Sequence, residues 1–222
     1  MSDVERKVAY FRYCGEVNTE KVLGAVKAHC EETGLKTVVV ASETGMSALR
    51  AVRVLEGTKV RLVVVTHYPA DTMGPKGNIP IGLRRREYAS ALKELTDKGV
   101  KVVQGTRPFA PPTRSIGWNY PTPAGVVDKT LEVFGAGTKI AIEAAIMATD
   151  AGEVDEGEEI VACAGTFKGL DTAIVVRTAY SMNFFRDFEV MEVVAKPACR
   201  AKTLPEHKYK NWKGDLDKYY PR

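Results

Sequence analysis

The sequence predicts an α/β protein, a three-layer α/β/α sandwich around a mostly parallel, doubly wound sheet with an antiparallel edge. Three observations carry this. Short runs of β-branched residues alternate with stretches of helical periodicity, the pattern of stacked strand–helix–strand units. One run, Thr37–Ala41, holds three consecutive valines, as a strand buried on both faces requires. Near the end of the chain, the strands Glu159–Ala164 and Asp171–Arg177 are separated only by Gly165-Thr166-Phe167-Lys168-Gly169-Leu170, which reads as a hairpin.

Taken in order, Val8–Tyr13 reads as the first strand. Asn18 is placed to cap a helix in which Val22, Leu23, Val26 and Cys30 share one face and which Gly34 ends. After the valine strand, Met46, Leu49, Val52 and Leu55 recur at helical spacing up to Gly57. Arg61–Val65 is the third strand, followed by a Gly/Pro-rich loop over Pro69–Pro80 that is long enough to be a lid or binding loop. A helix is expected over Ile81–Lys98 and a strand over Val100–Gln104. A second long loop, Gly105 to Pro123, carries five prolines with Arg107, Arg114 and Trp118. A helix with Val126, Val127, Leu131 and Phe134 then leads to an expected strand Lys139–Ile142 and a short helix Ala144–Ala151. Phe188–Lys196 is the last strand.

At 222 residues and 45% hydrophobic, the chain can bury one sizeable core, and residues 1–197 read as one domain. Residues 198–222 form a basic, aromatic tail with Tyr209, Trp212, Tyr219 and Tyr220. Its last 23 residues, from Arg200, hold the whole net charge of +4, so the body is neutral. Such a tail can bind single-stranded nucleic acid, but packing on its own body or a neighbouring subunit is the commoner use. No apolar run is long enough to span a bilayer, and the polar N-terminus has no signal-peptide core. Cys14, Cys30, Cys163 and Cys199 are scattered with no C-x-x-C pair, which argues against a zinc knuckle, a redox dithiol or a disulfide framework. A cytoplasmic protein is the expectation, and an edge strand in need of cover suggests a homo-oligomer.

Ligands of open α/β sheets bind beyond the carboxyl ends of the strands. Those ends collect Cys14-Gly15, Ala41–Gly45, Thr66-His67-Tyr68, Gly105-Thr106-Arg107 and Glu143. The strongest element is the turn Ser42-Glu43-Thr44-Gly45-Met46-Ser47, where a buried strand gives way to a helix. Free N–H groups and the helix dipole favour an anion there, three hydroxyls add donors, and Gly45 lets the backbone approach. The plainer alternative is N-capping by Ser42 or Thr44 with no ligand. The turn is neither G-x-x-x-x-G-K nor G-x-G-x-x-G, so neither a nucleoside triphosphate nor a Rossmann NAD site is implied.

Among ionisable candidates, His67 at a strand end is the best general acid or base, because the imidazole side chain as a type exchanges protons near neutrality. A histidine satisfied by backbone is the alternative. His29 and His207 are not expected to act, and the dispersal of the histidines argues against a transition metal. Cys14 is a candidate thiolate beside a helix N-terminus. Arg107 and Arg114 are candidates to clamp a second anion, and Glu143 and Asp150 are acids near the cleft mouth.

The turn Ser42-Glu43-Thr44-Gly45-Met46-Ser47-Ala48 resembles the effector-phosphate loop of the pyruvate kinase C-terminal domain. Gly157-Glu158-Glu159-Ile160-Val161, Gly165-Thr166 and Gly169-Leu170-Asp171-Thr172-Ala173 resemble its closing hairpin. Asn18-Thr19-Glu20-Lys21-Val22-Leu23, Val65-Thr66-His67, Arg114-Ser115-Ile116, Asp150-Ala151-Gly152, Phe184-Phe185 and Ala195-Lys196-Pro197 are similar to the stand-alone archaeal family of pyruvate kinase C-terminal-domain-like proteins. The resemblance spans residues 8–197. It implies an α/β/α domain without a catalytic barrel, hence no phosphoenolpyruvate chemistry, and an association with flavin mononucleotide. Glu43 departs from a hydroxyl-rich phosphate loop, since a carboxylate beside a phosphate must point away.

These readings combine into a flavin mononucleotide-binding protein, with flavin-dependent oxidoreduction of an unassigned substrate as its activity. The resemblance places the phosphate on Ser42, Thr44, Gly45, Met46 and Ser47. The ring would lie across the strand ends near Cys14, Thr66, His67, Tyr68 and Thr106, and Gly15, Asn18, Gly165 and Thr166 complete the expected cofactor-binding residues. Tyr68 or Trp118 would cover a ring face, Arg114 or Lys76 would favour negative charge at the N1–C2 edge, and His67 or Tyr68 would donate a proton. Two alternatives stay open: a regulatory module binding a phosphorylated metabolite without catalysis, and an RNA-associated protein acting through its tail.

Overall fold

The computed structural model describes residues 3–72, 79–109 and 122–198. Lys76, Arg114, Trp118 and residues 199–222 of the basic tail lie outside them.

A seven-stranded sheet runs in the order β1-β9-β8-β7-β2-β3-β6. Its strands are β1 (Ala9–Phe11), β2 (Thr37–Ala41), β3 (Arg61–His67), β6 (Lys101–Gly105), β7 (Glu159–Ala164), β8 (Thr172–Arg177) and β9 (Glu189–Pro197). β2 pairs in parallel with both β3 and β7, β3 with β6, and β1 with β9, while β8 runs antiparallel to both its neighbours. The antiparallel strand is therefore interior, not an edge as the sequence suggests. The hairpin adds β8 beside β7, but β9 then pairs on its far side, and β1 closes that end. β4 (Ala70–Thr72) and β5 (Ile79–Ile81) form a separate antiparallel pair within the predicted lid loop.

Helices cover both faces. α1 (Thr19–Thr33), α2 (Met46–Leu55) and α3 (Ala89–Asp97) lie on one, where Val22, Leu23, Val26, Ala48, Leu49 and Leu95 pack on Val38, Val40 and Val64. The other face carries α5 (Ala136–Asp150), flanked by α4 (Pro123–Val133), with Ile142, Ile146 and Ala145 against Val39, Val63, Ile160 and Ile174. The alternation of the β2 valines between the two clusters is the pleat itself. Each fully buried Val, Leu or Ile contributes about 1.5–3 kcal/mol by area, so these two layers dominate the stability.

α1 begins and ends where its sequence says. Its C-terminus is closed by Gly34 at φ 78°, whose N–H donates to the Cys30 carbonyl at 2.9 Å. α3 is shorter than the expected Ile81–Lys98. Ile81 belongs to β5, and a 3-10 turn over Arg86–Tyr88 precedes the helix.

The largest correction concerns Lys139–Ile142, expected as a strand and found inside α5. Its isoleucines mimic a strand, but Ala141, Ala144, Ala145 and Ala148 recur at helical spacing and are at most 2% exposed. These small residues let α5 lie close to the sheet while α4 covers its far side, so the helix is buried nearly all round. That burial erased the polar stripe by which a helix is recognised. Glu143 is consequently a mid-helix residue, not a strand-end acid.

Candidate ligand site at the carboxyl edge of the sheet

The strand order reverses at β2. From β2 the chain steps outward to β3 and β6, then returns across the other face through α5 to β7 on the opposite side of β2. In open α/β sheets such a reversal is where ligands bind; here β2 leads into α2 on one face, while β7 turns straight into β8 through the Gly165–Leu170 hairpin. Val40 pairs with Cys163, so Ser42 and the Gly165-Thr166 turn emerge side by side there.

The Ser42–Ser47 turn is built largely from internal bonds. The Ser42 N–H donates to the Val65 carbonyl at 2.9 Å, and its hydroxyl accepts from the Ala48 N–H at 3.4 Å. Ser42 and Thr44 are buried, whereas Met46 and Ser47, which open α2, are half-buried. Gly45 sits at φ +87°, and a Cβ there would stand 2.8 Å from Ala91 Cβ and 2.9 Å from Leu83 Cδ1. Its lack of a side chain lets α2 start against Ala91 of α3 and against Leu83, a packing role that the sequence reading does not anticipate.

Glu43 turns along the end of β3. Its carboxylate accepts from the Thr66 hydroxyl at 3.0 Å and the His67 N–H at 3.1 Å, and His67 Nδ1 closes a further contact. Thr66, 1% exposed, accepts in turn from the Leu83 N–H at 3.0 Å. Burial opposes the charged form of Glu43, but hydrogen bonds from His67 and Thr66 and the nearby imidazole outweigh it, holding this carboxyl below its usual range. Tyr68 is 44% exposed, with its ring edge-on to His67 at 6.2 Å between centroids.

On the β7 side, Asp171 organises the loops. It is fully buried, and its carboxylate accepts from the Gly15 N–H at 2.7 Å, the Thr166 N–H at 3.0 Å and the Thr172 hydroxyl at 2.8 Å. Asn18 does not cap α1 with its side chain. It donates instead to the carbonyls of Tyr13 at 2.7 Å and Gly15 at 3.3 Å. Thr19 Oγ1 accepts from the Leu170 N–H at 3.0 Å, and Gly169 lies where a Cβ would come within 2.5 Å of the Glu16 Cα. Glu16 pairs with Lys168 at 2.6 Å and Arg50 at 3.2 Å, joining the hairpin, the start of α1 and α2. Cys14 is 2% exposed, so this thiol is enclosed by the fold and not laid open to a ring.

Just beyond β6, Thr106 is exposed, while Arg107 is 6% exposed and turned inward. Arg107 Nη1 donates to Glu143 Oε2 at 3.0 Å, and the Phe109 N–H donates to Glu143 Oε1 at 3.3 Å. Arg107 thus clamps an internal carboxylate, not a substrate anion. Burial of Glu143 pushes its pKa up, only partly opposed by Arg107. Asp150 accepts from the Ser181 N–H at 2.9 Å and holds a turn at the other end of α5. Among the described residues no group of three metal-ligating side chains occurs, and no helix is long and apolar enough to cross a membrane.

The edge therefore brings together the α2 turn, Thr66, His67 and Tyr68, with Gly165, Thr166, Gly15 and Asn18 on the β7 side, while Arg107 and Glu143 withdraw into the core. Sequence reasoning missed Asp171 as an organiser. A lone acid beginning an otherwise apolar hairpin strand was the available signal, because a charge there requires several donors. The family model for the pyruvate kinase alpha/beta domain matches residues 20–176, from the first turn of α1 to the penultimate residue of β8, and leaves β1, the Gly15–Asn18 segment and β9 outside. On that match, the chain belongs to the pyruvate kinase alpha/beta domain family.

Proposed function

We propose that this protein binds a phosphorylated small molecule at the carboxyl edge of its sheet, and that the ligand is flavin mononucleotide. The observation that carries the reading is the opening of α2 at the point where strand order reverses. There Met46 and Ser47 reach the surface while Ser42 and Thr44 are buried beneath them. A helix N-terminus at such a point offers N–H donors and a favourable dipole to a phosphate.

The fit of the residues supports the phosphate half best. The Glu43 carboxylate is engaged by Thr66 and His67, so the objection that it would repel a phosphate is weakened. His67 and Tyr68 stand at the neighbouring strand end, where a ring anchored by that phosphate would meet them. Bound flavin would supply hydride chemistry, which makes an oxidoreductase the activity that follows from this reading. The roles left to the chain are to hold the phosphate at Met46 and Ser47, to cover a ring face with Tyr68, and to exchange a proton at His67.

A second reading has its own support. The Gly15 and Thr166 N–H groups are both taken by Asp171, and Cys14 is enclosed, which leaves fewer groups for a ring system. This favours a non-catalytic module for a smaller phosphorylated metabolite.

One screen separates them. The absorption spectrum of the purified protein is recorded, then its thermal midpoint with flavin mononucleotide, riboflavin and sugar phosphates. Ligand at 100 times its Kd adds about 2.7 kcal/mol of stability. Stabilisation by flavin mononucleotide above riboflavin supports the flavin reading. Stabilisation by sugar phosphates alone supports the module, and no response to any phosphate overturns both.

A further inference from the structure

Glu43 and His67 form an arrangement that sets which nitrogen of His67 exchanges the proton. His67 ends β3, and its ring is 20% exposed. The Glu43 carboxylate grips it twice, by the backbone N–H at 3.1 Å and by Nδ1. The Thr66 hydroxyl, at 3.0 Å from the same carboxylate, holds Glu43 in that orientation, and Thr66 is itself fixed by the Leu83 N–H at 3.0 Å. The carboxylate accepts from the Thr66 hydroxyl and the His67 N–H, bonds that favour its charged, acceptor-only form, so the proton shared with the ring belongs on Nδ1. In the neutral ring Nε2 is then the bare nitrogen, and no described residue engages it.

From this geometry we infer that Glu43 and His67 are a carboxylate–imidazole dyad in which His67 Nε2 is the proton acceptor of the carboxyl-edge site. Glu43 is its positioning residue. The step is a single proton transfer. An O–H or N–H of the bound molecule gives its proton to Nε2, the electron pair stays on the ligand oxygen or nitrogen, and the imidazolium formed is stabilised by the Glu43 carboxylate. Free imidazole has no such bias in its tautomer; the chain imposes it with one carboxylate and supports that carboxylate with one threonine. The ligand class is a phosphorylated molecule carrying an exchangeable proton near its anchored phosphate. The inference rests on a ligand occupying this edge, not on that ligand being a flavin.

The test is long-range ¹H–¹⁵N NMR of the full chain with ¹⁵N-labelled histidine, the His67 signals being assigned by their loss in His67→Gln. At a pH where the ring is neutral, His67 is expected as the Nδ1–H tautomer with an unprotonated Nε2. Glu43→Gln, which still offers an acceptor, is expected to keep that tautomer, and Glu43→Leu to lose it. An Nε2–H tautomer in the unmodified protein overturns the dyad without any variant having to fold. Flavin mononucleotide and inorganic phosphate are then each added while the thermal midpoint is followed. Movement of the His67 Nε2 resonance with His29 unmoved places the dyad at the ligand. A rise in thermal midpoint with an unmoved His67 resonance overturns the acceptor role and leaves the ligand reading standing. No rise with either probe overturns the ligand reading and, with it, an acceptor at this edge, even where the tautomer is as expected.

Discussion

Replacing Gly45 by alanine asks whether that residue serves a ligand or the packing of the fold. Two penalties are legible at the site. The φ of +87° places an L-residue in the left-handed region, which costs about 1–2 kcal/mol. The new Cβ would also stand 2.8 Å from Ala91 Cβ and 2.9 Å from Leu83 Cδ1, in the packed seam between α2 and α3. Overpacking of that kind adds about 1–3 kcal/mol. The expected total is about 2–5 kcal/mol, a fall in Tm on the order of 5–15 °C for a chain of this size. Gly34→Ala is the control. Its φ of +78° imposes the same backbone penalty, but no atom lies within 4 Å of the added methyl. Urea and thermal unfolding of both variants, with equal m-values, would isolate the packing share as their difference. A Gly45→Ala variant no less stable than Gly34→Ala would refute the packing role.

Further outcomes follow from the buried charges. Asp171→Ala should lose about 3 kcal/mol by chemical denaturation, since the Gly15 and Thr166 N–H groups are left without their acceptor, and Asp171→Asn should recover part of it. Glu143→Leu should cost about 3–5 kcal/mol because Arg107 stays buried without its close partner. The Glu143 carboxyl is raised on folding, so its contribution is fully present below the unfolded value and lost as pH rises through the folded one. The stability of Glu143→Gln relative to the parent should therefore increase with pH across that range. Glu43 has the opposite sign. Its folded value is lowered, so its contribution is complete above the ordinary carboxyl value of 4.5 and disappears as pH falls through the folded one. Unfolding midpoints taken on acidification should fall more steeply for the parent than for Glu43→Gln, and parallel curves would contradict the pairing. Cys30 is pushed up to about 11 by burial, so a thiol reagent near neutral pH should modify it only after unfolding.

Local chemistry made much of this fold readable in advance. The β2 valines announce a strand covered on both faces, and Gly34 and Gly57 end their helices because only a residue without Cβ turns the chain there cheaply. The spacing of Val22, Leu23, Val26 and Cys30 identifies the buried face of α1, and the hydroxyl-rich turn before Met46 is correctly placed at a strand-to-helix junction. These features depend on neighbours within a few residues, so one dimension suffices to see them.

What the sequence by itself determined is therefore the class, the strand–helix alternation and the edge at which polar residues gather. Only the tertiary structure decided the rest. β8 is interior because β9, drawn from far along the chain, pairs on its outer side. Lys139–Ile142 is helical because a helix buried between a sheet and another helix loses the polar stripe that marks it. Above all, the partners of the charged side chains are set by long-range closure. Asp171 takes the N–H of Gly15 from 156 residues away, and Arg107 meets Glu143 across 36. Glu43 finds His67 only when β2 and β3 align. A buried charge must find donors wherever folding brings them, and no local pattern records which ones those will be.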